Sequence, residues 1–233
     1  MICKGFCQFT RRTNPPLYIE IFQYIKRRIY VGFFKVDSPF YEFLRRFVDV
    51  VKLNFLWVIF SLPIITMGAA SLAVYSVTLK MSEDNEGYVG RDFIKAFKAN
   101  LKQGILLGLI TLGAAYVVYL NFSLFFAIES NPLPLLIVGI FAGVYFLLSL
   151  LYAYPLTARY KNSLRNNLNN SFRISTKYIG RTLFLILIIA FIIFVCLYNS
   201  TTIFFGILIG PTFIMFTISS FSLQIFKKIE KDQ

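Results

Sequence analysis

Long apolar tracts separated by short polar segments are the first feature of the chain. No Asp, Glu, Lys or Arg occurs within 53–79, 103–128, 130–158 or 182–225. A helix needs about 20 apolar residues to cross a bilayer core, so the last tract is long enough for two crossings and the two middle tracts for one each. The pattern predicts an all-α, polytopic membrane protein with five to six transmembrane or re-entrant helices. We place them near 53–79 (broken at Pro63), 103–128, 132–157, 182–199 and 202–224, within an integral membrane domain at 38–228.

The polar segments predict what lies between and beside these helices. Residues 1–37 read as a basic, aromatic cytoplasmic segment and 229–233 as a cytoplasmic tail. Ser38 followed by Pro39 is a helix start, with Ser as N-cap and Pro at the first helical position. Apolar residues then recur at three- and four-residue spacing as far as Lys52, which predicts an amphipathic helix along the membrane surface. A core helix of a water-facing region is the alternative.

The basic residues orient the chain. Lys and Arg number ten before the first tract, five in 80–102, none in the turn at 129–132, six in 159–181, none at 199–201 and three in the tail. Basic segments stay in the cytoplasm, so both termini and both basic loops are expected there. The helices at 103–128 and 132–157 then form one hairpin, and those at 182–199 and 202–224 form another.

The first tract conflicts with this orientation unless it enters and leaves on the same side. Pro63 removes a helix hydrogen bond, so the tract is expected to break there into two legs near 53–63 and 66–80, as a third hairpin or re-entrant loop. The alternative is one kinked span with loop 80–102 outside. Aromatic and basic stretches at 47–54, 93–100 and 172–179 precede the three hairpins and predict interfacial elbow helices.

Small residues four positions apart predict close helix packing. The pairs are Gly104 with Gly108, Gly139 with Gly143 and Gly206 with Gly210, and Ala69 with Ala73 offers a similar face. These faces either pack within the chain or dock on another protein.

Composition and charge exclude most chemistry. Hydrophobic residues make up 57% of the chain, the net charge is +13 and there is no histidine. Without histidine the usual general base and metal ligand are missing, and no Gly-rich phosphate loop is present, so we expect no enzyme, no cofactor and no metal. The basic residues flank the apolar tracts, which favours binding to anionic lipids of the cytoplasmic leaflet over nucleic acid. Cys3, Cys7 and Cys196 are expected to be reduced thiols.

Several short motifs resemble one family. Phe34 with Asp37, Ser38 and Pro39, the 97–100 elbow, the exit at 154–156 and above all the stretch with Asn54, Trp57, Pro63, Thr66, Gly68 and Ala69 resemble the YesL-like membrane proteins. The resemblance runs from about 32 to 228. It implies a small integral membrane protein of Gram-positive bacteria, often encoded beside binding proteins and permeases for oligosaccharide uptake, for which no reaction is established.

Asn54 and Trp57 lie one helical turn apart where the surface helix would enter the membrane. Trp prefers that boundary, and the Asn side chain can cap backbone groups freed near Pro63, so a structural role is favoured over partner or sugar binding.

The tracts carry no ionisable group for an ion or proton path, which disfavours a transporter acting alone. We therefore expect a non-enzymatic accessory or assembly subunit that contacts the permease subunits of an ABC-type importer. The alternatives are an autonomous small transporter or flippase, and a regulatory membrane protein of carbohydrate use.

Overall fold

The computed structural model describes residues 39–83, 87–128 and 132–231, and every regular element within them is helical. In chain order the helices are α1 (Pro39–Ser61), α2 (Met67–Ser82), α3 (Val89–Ala99), α4 (Leu101–Ala127), α5 (Leu133–Leu151), α6 (Ala153–Arg159), α7 (Leu164–Lys177), α8 (Ile179–Leu197) and α9 (Ser200–Lys231). Five segments are long and apolar enough to cross a membrane: Ile64–Ser82, Leu101–Ala127, Leu133–Arg159, Ile179–Leu197 and Ser200–Lys231. The predicted fold class, a polytopic helical membrane protein, is confirmed.

The chain divides into two compact units, Met1–Val48 and Asp49–Gln233. In the first unit the structure describes the opening turns of α1, which begin at Pro39 as predicted. Asp37 and the predicted N-cap Ser38 lie outside the described residues. The predicted surface helix does not end near Lys52, however. No Gly or Pro interrupts the sequence before Pro63, so this helix and the first leg of the apolar tract form one continuous helix, α1.

The break at Pro63 is confirmed. Helix α1 ends at Ser61, a single 3-10 turn follows at Ile64–Thr66, and α2 begins at Met67. The residues on either side of Pro63 therefore form two separate legs. Which side of the membrane each leg reaches stays a prediction.

The two later hairpins are present, with helical elbows before them. Helix α3 precedes the α4–α5 hairpin, and α7 precedes the α8–α9 hairpin. The span expected at 132–157 is present as Leu133–Arg159, but its helix is interrupted at Tyr152 and continues as α6, which was not predicted. Pro155 explains the interruption, because it has no N–H to donate to the carbonyl of Leu151. Helix α9 also continues to Lys231, well past the predicted end at 224.

Helix α2 occupies the centre of the second unit. Within the membrane-length window of Ile64–Ser82, 61% of residues are buried inside the chain, against 11–17% for the other four candidate spans. One core cluster joins α2 to α1 and α3 through Leu53, Val74 and Phe93. A second joins it to α6, α8 and α9 through Tyr75, Leu185 and Ile218. The other candidate spans leave most of their apolar surface exposed, as lipid-facing helices do.

Glycine permits a close contact between α2 and α4. A Cβ atom built on Gly68 of α2 would overlap the carbonyl oxygen of Gly104 and lie 2.5 Å from the Cα of Gly108 on α4. A Cβ on Gly104 would lie 2.9 Å from the Cβ of Ala69. The α2–α4 contact therefore depends on the absence of side chains on both helices.

We expect Gly104→Leu to lower stability by about 1–3 kcal/mol, because a larger side chain would push α4 away from α2. The measurement is the midpoint of thermal unfolding of the purified protein in detergent. Gly113→Leu is the matched control, since nothing lies within 4 Å of a Cβ at Gly113 on the same helix. Equal melting temperatures for the two variants would contradict this account of the contact.

Candidate functional site

The side chain of Asn54 is buried against α9 and makes three hydrogen bonds there. It is 2% exposed. Its Nδ2 donates to the carbonyl oxygens of Leu208 at 2.6 Å and Ile207 at 3.2 Å. Its Oδ1 accepts from the Thr212 hydroxyl at 3.0 Å. Asn54 thus joins the part of α1 that carries the sequence motif to α9.

Pro211 explains why α9 needs this contact. A proline within a helix has no N–H for the carbonyl four residues earlier, and here that carbonyl belongs to Ile207. An unsatisfied carbonyl costs free energy when it is shielded from water, and a side-chain amide from another helix can replace the missing donor. The Asn54 amide therefore replaces the backbone donor that Pro211 lacks. Our prediction that it caps groups freed near Pro63 was wrong.

Thr66 fills that role at Pro63 instead. Its hydroxyl lies 2.8 Å from the carbonyl oxygen of Phe60 and 2.8 Å from that of Pro63. The Phe60 carbonyl belongs to the last turn of α1, and the Pro63 carbonyl lies between α1 and α2. The Thr66 side chain thus closes the turn between the two legs from within the same segment.

Trp57 faces the interior of the α1–α2 pair. Its Nε1 donates to the Ser71 hydroxyl at 3.0 Å, and its half-buried ring packs on the core cluster around Leu53 and Val74. This geometry supports the structural interpretation of Trp57 over partner or sugar binding.

The small-residue faces also point inward. Gly68, Gly104 and Gly108 form the α2–α4 contact described above. A Cβ on Gly139 would lie 3.3 Å from the Cβ of Asn121 in α4, and one on Gly143 would lie 3.8 Å from Val118. On α9, a Cβ on Gly206 would lie 2.9 Å from the Cβ of Cys196, and one on Gly210 would lie 3.8 Å from its sulfur. All three glycine pairs therefore pack within the chain, which removes them as candidate docking faces.

Hydroxyl pairs join α2 to α9, as expected for scattered Ser and Thr in membrane helices. Thr78 lies 2.6 Å from Ser219, and Ser82 lies 2.9 Å from Ser220, oxygen to oxygen. Asn121 does not follow this pattern. Its amide donates to the Val117 carbonyl of its own helix at 3.1 Å.

Elbow helix α7 buries a polar face. Asn167, Ser171 and Ser175 are spaced four residues apart and are all buried. The Ser175 hydroxyl donates to the Leu148 carbonyl of α5 at 2.7 Å. The N–H of Tyr152, which an uninterrupted helix would direct to Leu148, bonds to Leu150 instead. The serines of α7 thus supply the donor that is lost where α5 ends.

A cluster of ionic side chains joins the ends of α2, α6 and α9. Arg159 donates to Glu83 at 2.5 Å and to both carboxylate oxygens of Glu230, at 3.1 and 3.3 Å. Tyr160 donates to Glu230 at 2.5 Å. Burial, followed by this bond to Glu230, raises the pKa of Tyr160 to about 12, so the phenol remains a donor at neutral pH. We call these four residues the Arg159 cluster.

Sequence reasoning missed the Arg159 cluster, although a signal was present. Each member adjoins the end of a hydrophobic tract on the side assigned to the cytoplasm. Two acids lie there: Glu230 stands among lysines, and Glu83 lies three residues after Lys80. Opposite charges at neighbouring helix ends were the available hint, but their pairing depends on which helices are adjacent.

An open groove of about 550 Å³ lies between α1 and the start of α3. Asp49, Lys52, Tyr88 and Arg91 line it together with backbone from Gly87 to Gly90. The Nζ of Lys52 lies 3.4 Å from the carboxylate of Asp49, one helical turn earlier. Acidic and basic side chains both line the groove. The residues described there form no arrangement that would catalyse a reaction.

Part of the chain matches a known family. Residues 50–122 match the family described as "Protein of unknown function, DUF624", which is also known as YesL-like. The matched stretch contains the residues from Asn54 to Ala69 and the elbow at 97–100, so the resemblance seen in the sequence is supported there. The motifs at 37–39 and 154–156 lie outside it. No curated protein and no solved structure matches the chain.

We expect charge reversal at Arg159 to destabilise the protein and a charge swap to restore part of the loss. Arg159→Glu places three carboxylates together and should cost about 1–2 kcal/mol. Adding Glu230→Arg recreates one opposite-charge pair, so the double variant should melt at a higher temperature than Arg159→Glu alone. The interaction is measured as a double-mutant cycle by thermal unfolding. Additive effects of the two substitutions would show that the pair contributes nothing.

Proposed function

We propose that this membrane protein is a non-enzymatic accessory or assembly subunit of an ABC-type oligosaccharide importer in a Gram-positive cell membrane. The proposal rests on which side chains the membrane-length helices contain. The tracts hold no Asp, Glu, Lys, Arg or His, and the polar side chains at their breaks bond to backbone carbonyls of the chain. Such an interior supports a packing role better than a path for a solute or proton. The choice of an ABC-type importer as the partner rests on the family resemblance alone.

The surface left for a partner lies on the segments between the hairpins. The glycine faces are occupied within the chain, so they no longer support a permease contact. Helix α7 exposes Arg165, Arg173 and Lys177. These cations, with Lys161 just before the helix, form a surface that fits acidic cytoplasmic segments of a permease, and anionic lipid headgroups can share it.

Co-purification tests the importer proposal. A tagged copy recovered from native membranes in mild detergent should bring permease and ATPase subunits with it. Lys161→Glu with Arg165→Glu should lower their recovery several-fold, about the effect of reversing two interface charges. Asn166→Ser with Asn170→Ser is the matched control, because both asparagines are exposed on the same helix and neutral. Absence of importer subunits from the wild-type preparation would exclude the proposal, and solute flux in liposomes holding this protein alone would favour the autonomous transporter.

The orientation is tested by cysteine labelling in a background without the native cysteines. Tyr88→Cys and Ser163→Cys occupy exposed positions in the two basic loops, and Tyr198→Cys lies exposed at the turn between α8 and α9. An impermeant maleimide should label Tyr198→Cys in intact cells and the other two only in inside-out vesicles. Labelling of Tyr88→Cys from outside would instead support a single kinked span for the first tract.

A further inference from the structure

We propose that Pro211 is a hinge within α9 and that Asn54 is the lock that holds it closed. The hinge divides α9 into an outer segment, from Ser200 to Gly210, and an anchored segment from Pro211 onward. When the Asn54 bonds open, the outer segment and the part of α8 packed on it move relative to α2. The proposal concerns motion within the chain and does not depend on an importer.

The two segments of α9 differ in how they are held. The anchored segment buries residues throughout its length, including Thr212, Ile218, Ser219 and Phe226. The outer segment buries only Gly210, at its boundary with Pro211. Phe204 is 66% exposed and Ile207 is 69% exposed. A proline between a packed and an unpacked stretch is where a helix bends most easily.

The outer segment meets its hairpin partner through small side chains. Gly206 and Gly210 face the small side chain of Cys196 on α8, and apolar clefts of about 250 and 290 Å³ open beside this contact. Helix α8 is itself buried over only 11% of its membrane-length window. In the outer half of the hairpin, from 186 to 209, no residue of α8 or α9 is buried.

Asn54 supplies the missing restraint at the level of the hinge. Its amide donates to the carbonyls of Ile207 and Leu208, which lie before Pro211. Its side-chain oxygen accepts from Thr212, just after Pro211. The same side chain thus bonds to both segments. Because α1 packs on α2 through Leu53 and Trp57, the lock ties the outer segment to the central helix.

Spin-label distances between Phe204→Cys on α9 and Ile94→Cys on α3 test the hinge, with the purified protein in lipid nanodiscs and the native cysteines replaced. Both positions are exposed. The protein with Asn54 should give a narrow distance distribution. Asn54→Ala should broaden it about twofold, because the lock is lost while the helix still lacks the hydrogen bond at Pro211.

The decisive comparison adds Pro211→Ala to Asn54→Ala. An alanine at 211 provides an N–H for the Ile207 carbonyl, so the double variant should return to a narrow distribution. A merely destabilising loss of Asn54 would not be reversed by a change in α9. Asn121→Ala is the matched control, since that asparagine bonds only within its own helix in the described structure, and it should leave the distribution unchanged.

Three outcomes would overturn the proposal: an unchanged distribution for Asn54→Ala, equal broadening in the double variant, or broadening by Asn121→Ala. If Asn54→Ala does not fold, Thr212→Val removes only the bond to Oδ1. It should then broaden the distribution less than twofold, and no broadening would again overturn the hinge.

Discussion

Backbone carbonyls that lose their helical donor determine how this chain is assembled. In an apolar environment each such oxygen needs a hydrogen bond from within the protein. Three of the carbonyls that lose a helical donor lie near Pro63, at the end of α5 before Tyr152, and within α9 before Pro211. Thr66, Ser175 and Asn54 supply the donors there, respectively. The first donor comes from the same turn, whereas the other two come from helices distant in the sequence.

This requirement links elements that the hydrophobic effect alone would not order. Apolar side chains gain little by meeting one another in a membrane, because the lipid is equally apolar. A buried serine or asparagine, by contrast, must bond to a particular partner, and this fixes the position of one helix along another. The bond from Ser175 sets the position of α7 against α5, and the bonds from Asn54 set that of α1 against α9. The polar side chains therefore specify the register of the packing, and the glycines allow the required closeness.

Sequence patterns predicted the elements well because they depend on local rules. The absence of charges marked the hydrophobic helices, Pro63 marked the first break, and aromatic and basic stretches marked α3 and α7 as helical elbows. The break at Tyr152 was missed although Pro155 signals it, since the apolar tract continues past that point. The end of α9 was missed because positively charged residues do not stop a helix as it leaves the membrane.

The partners of the polar side chains could not be predicted by the same rules. Asn54 stands nine residues from Pro63 and far from Pro211 in the sequence, so proximity along the chain favoured the wrong proline. Likewise, the spacing of Gly139 and Gly143 shows that a face is small but not which helix meets it. Only the arrangement of helices decides these pairings. The family match covers 50–122 and so includes Asn54 but not its partners on α9.

Charged and neutral polar residues have separate roles for one energetic reason. Arg159, Glu83 and Glu230 pair at helix ends, where water can still reach them in part, whereas the bonds at Asn54, Thr78 and Ser219 use neutral groups at buried positions. A buried charge would have to recover a large desolvation energy, but a hydroxyl or amide needs only one or two bonds. Neutral contacts of this kind are weak enough to open and reclose. A lock made from Asn54 can therefore be released within the membrane, while the Arg159 cluster keeps the ends of α2, α6 and α9 together.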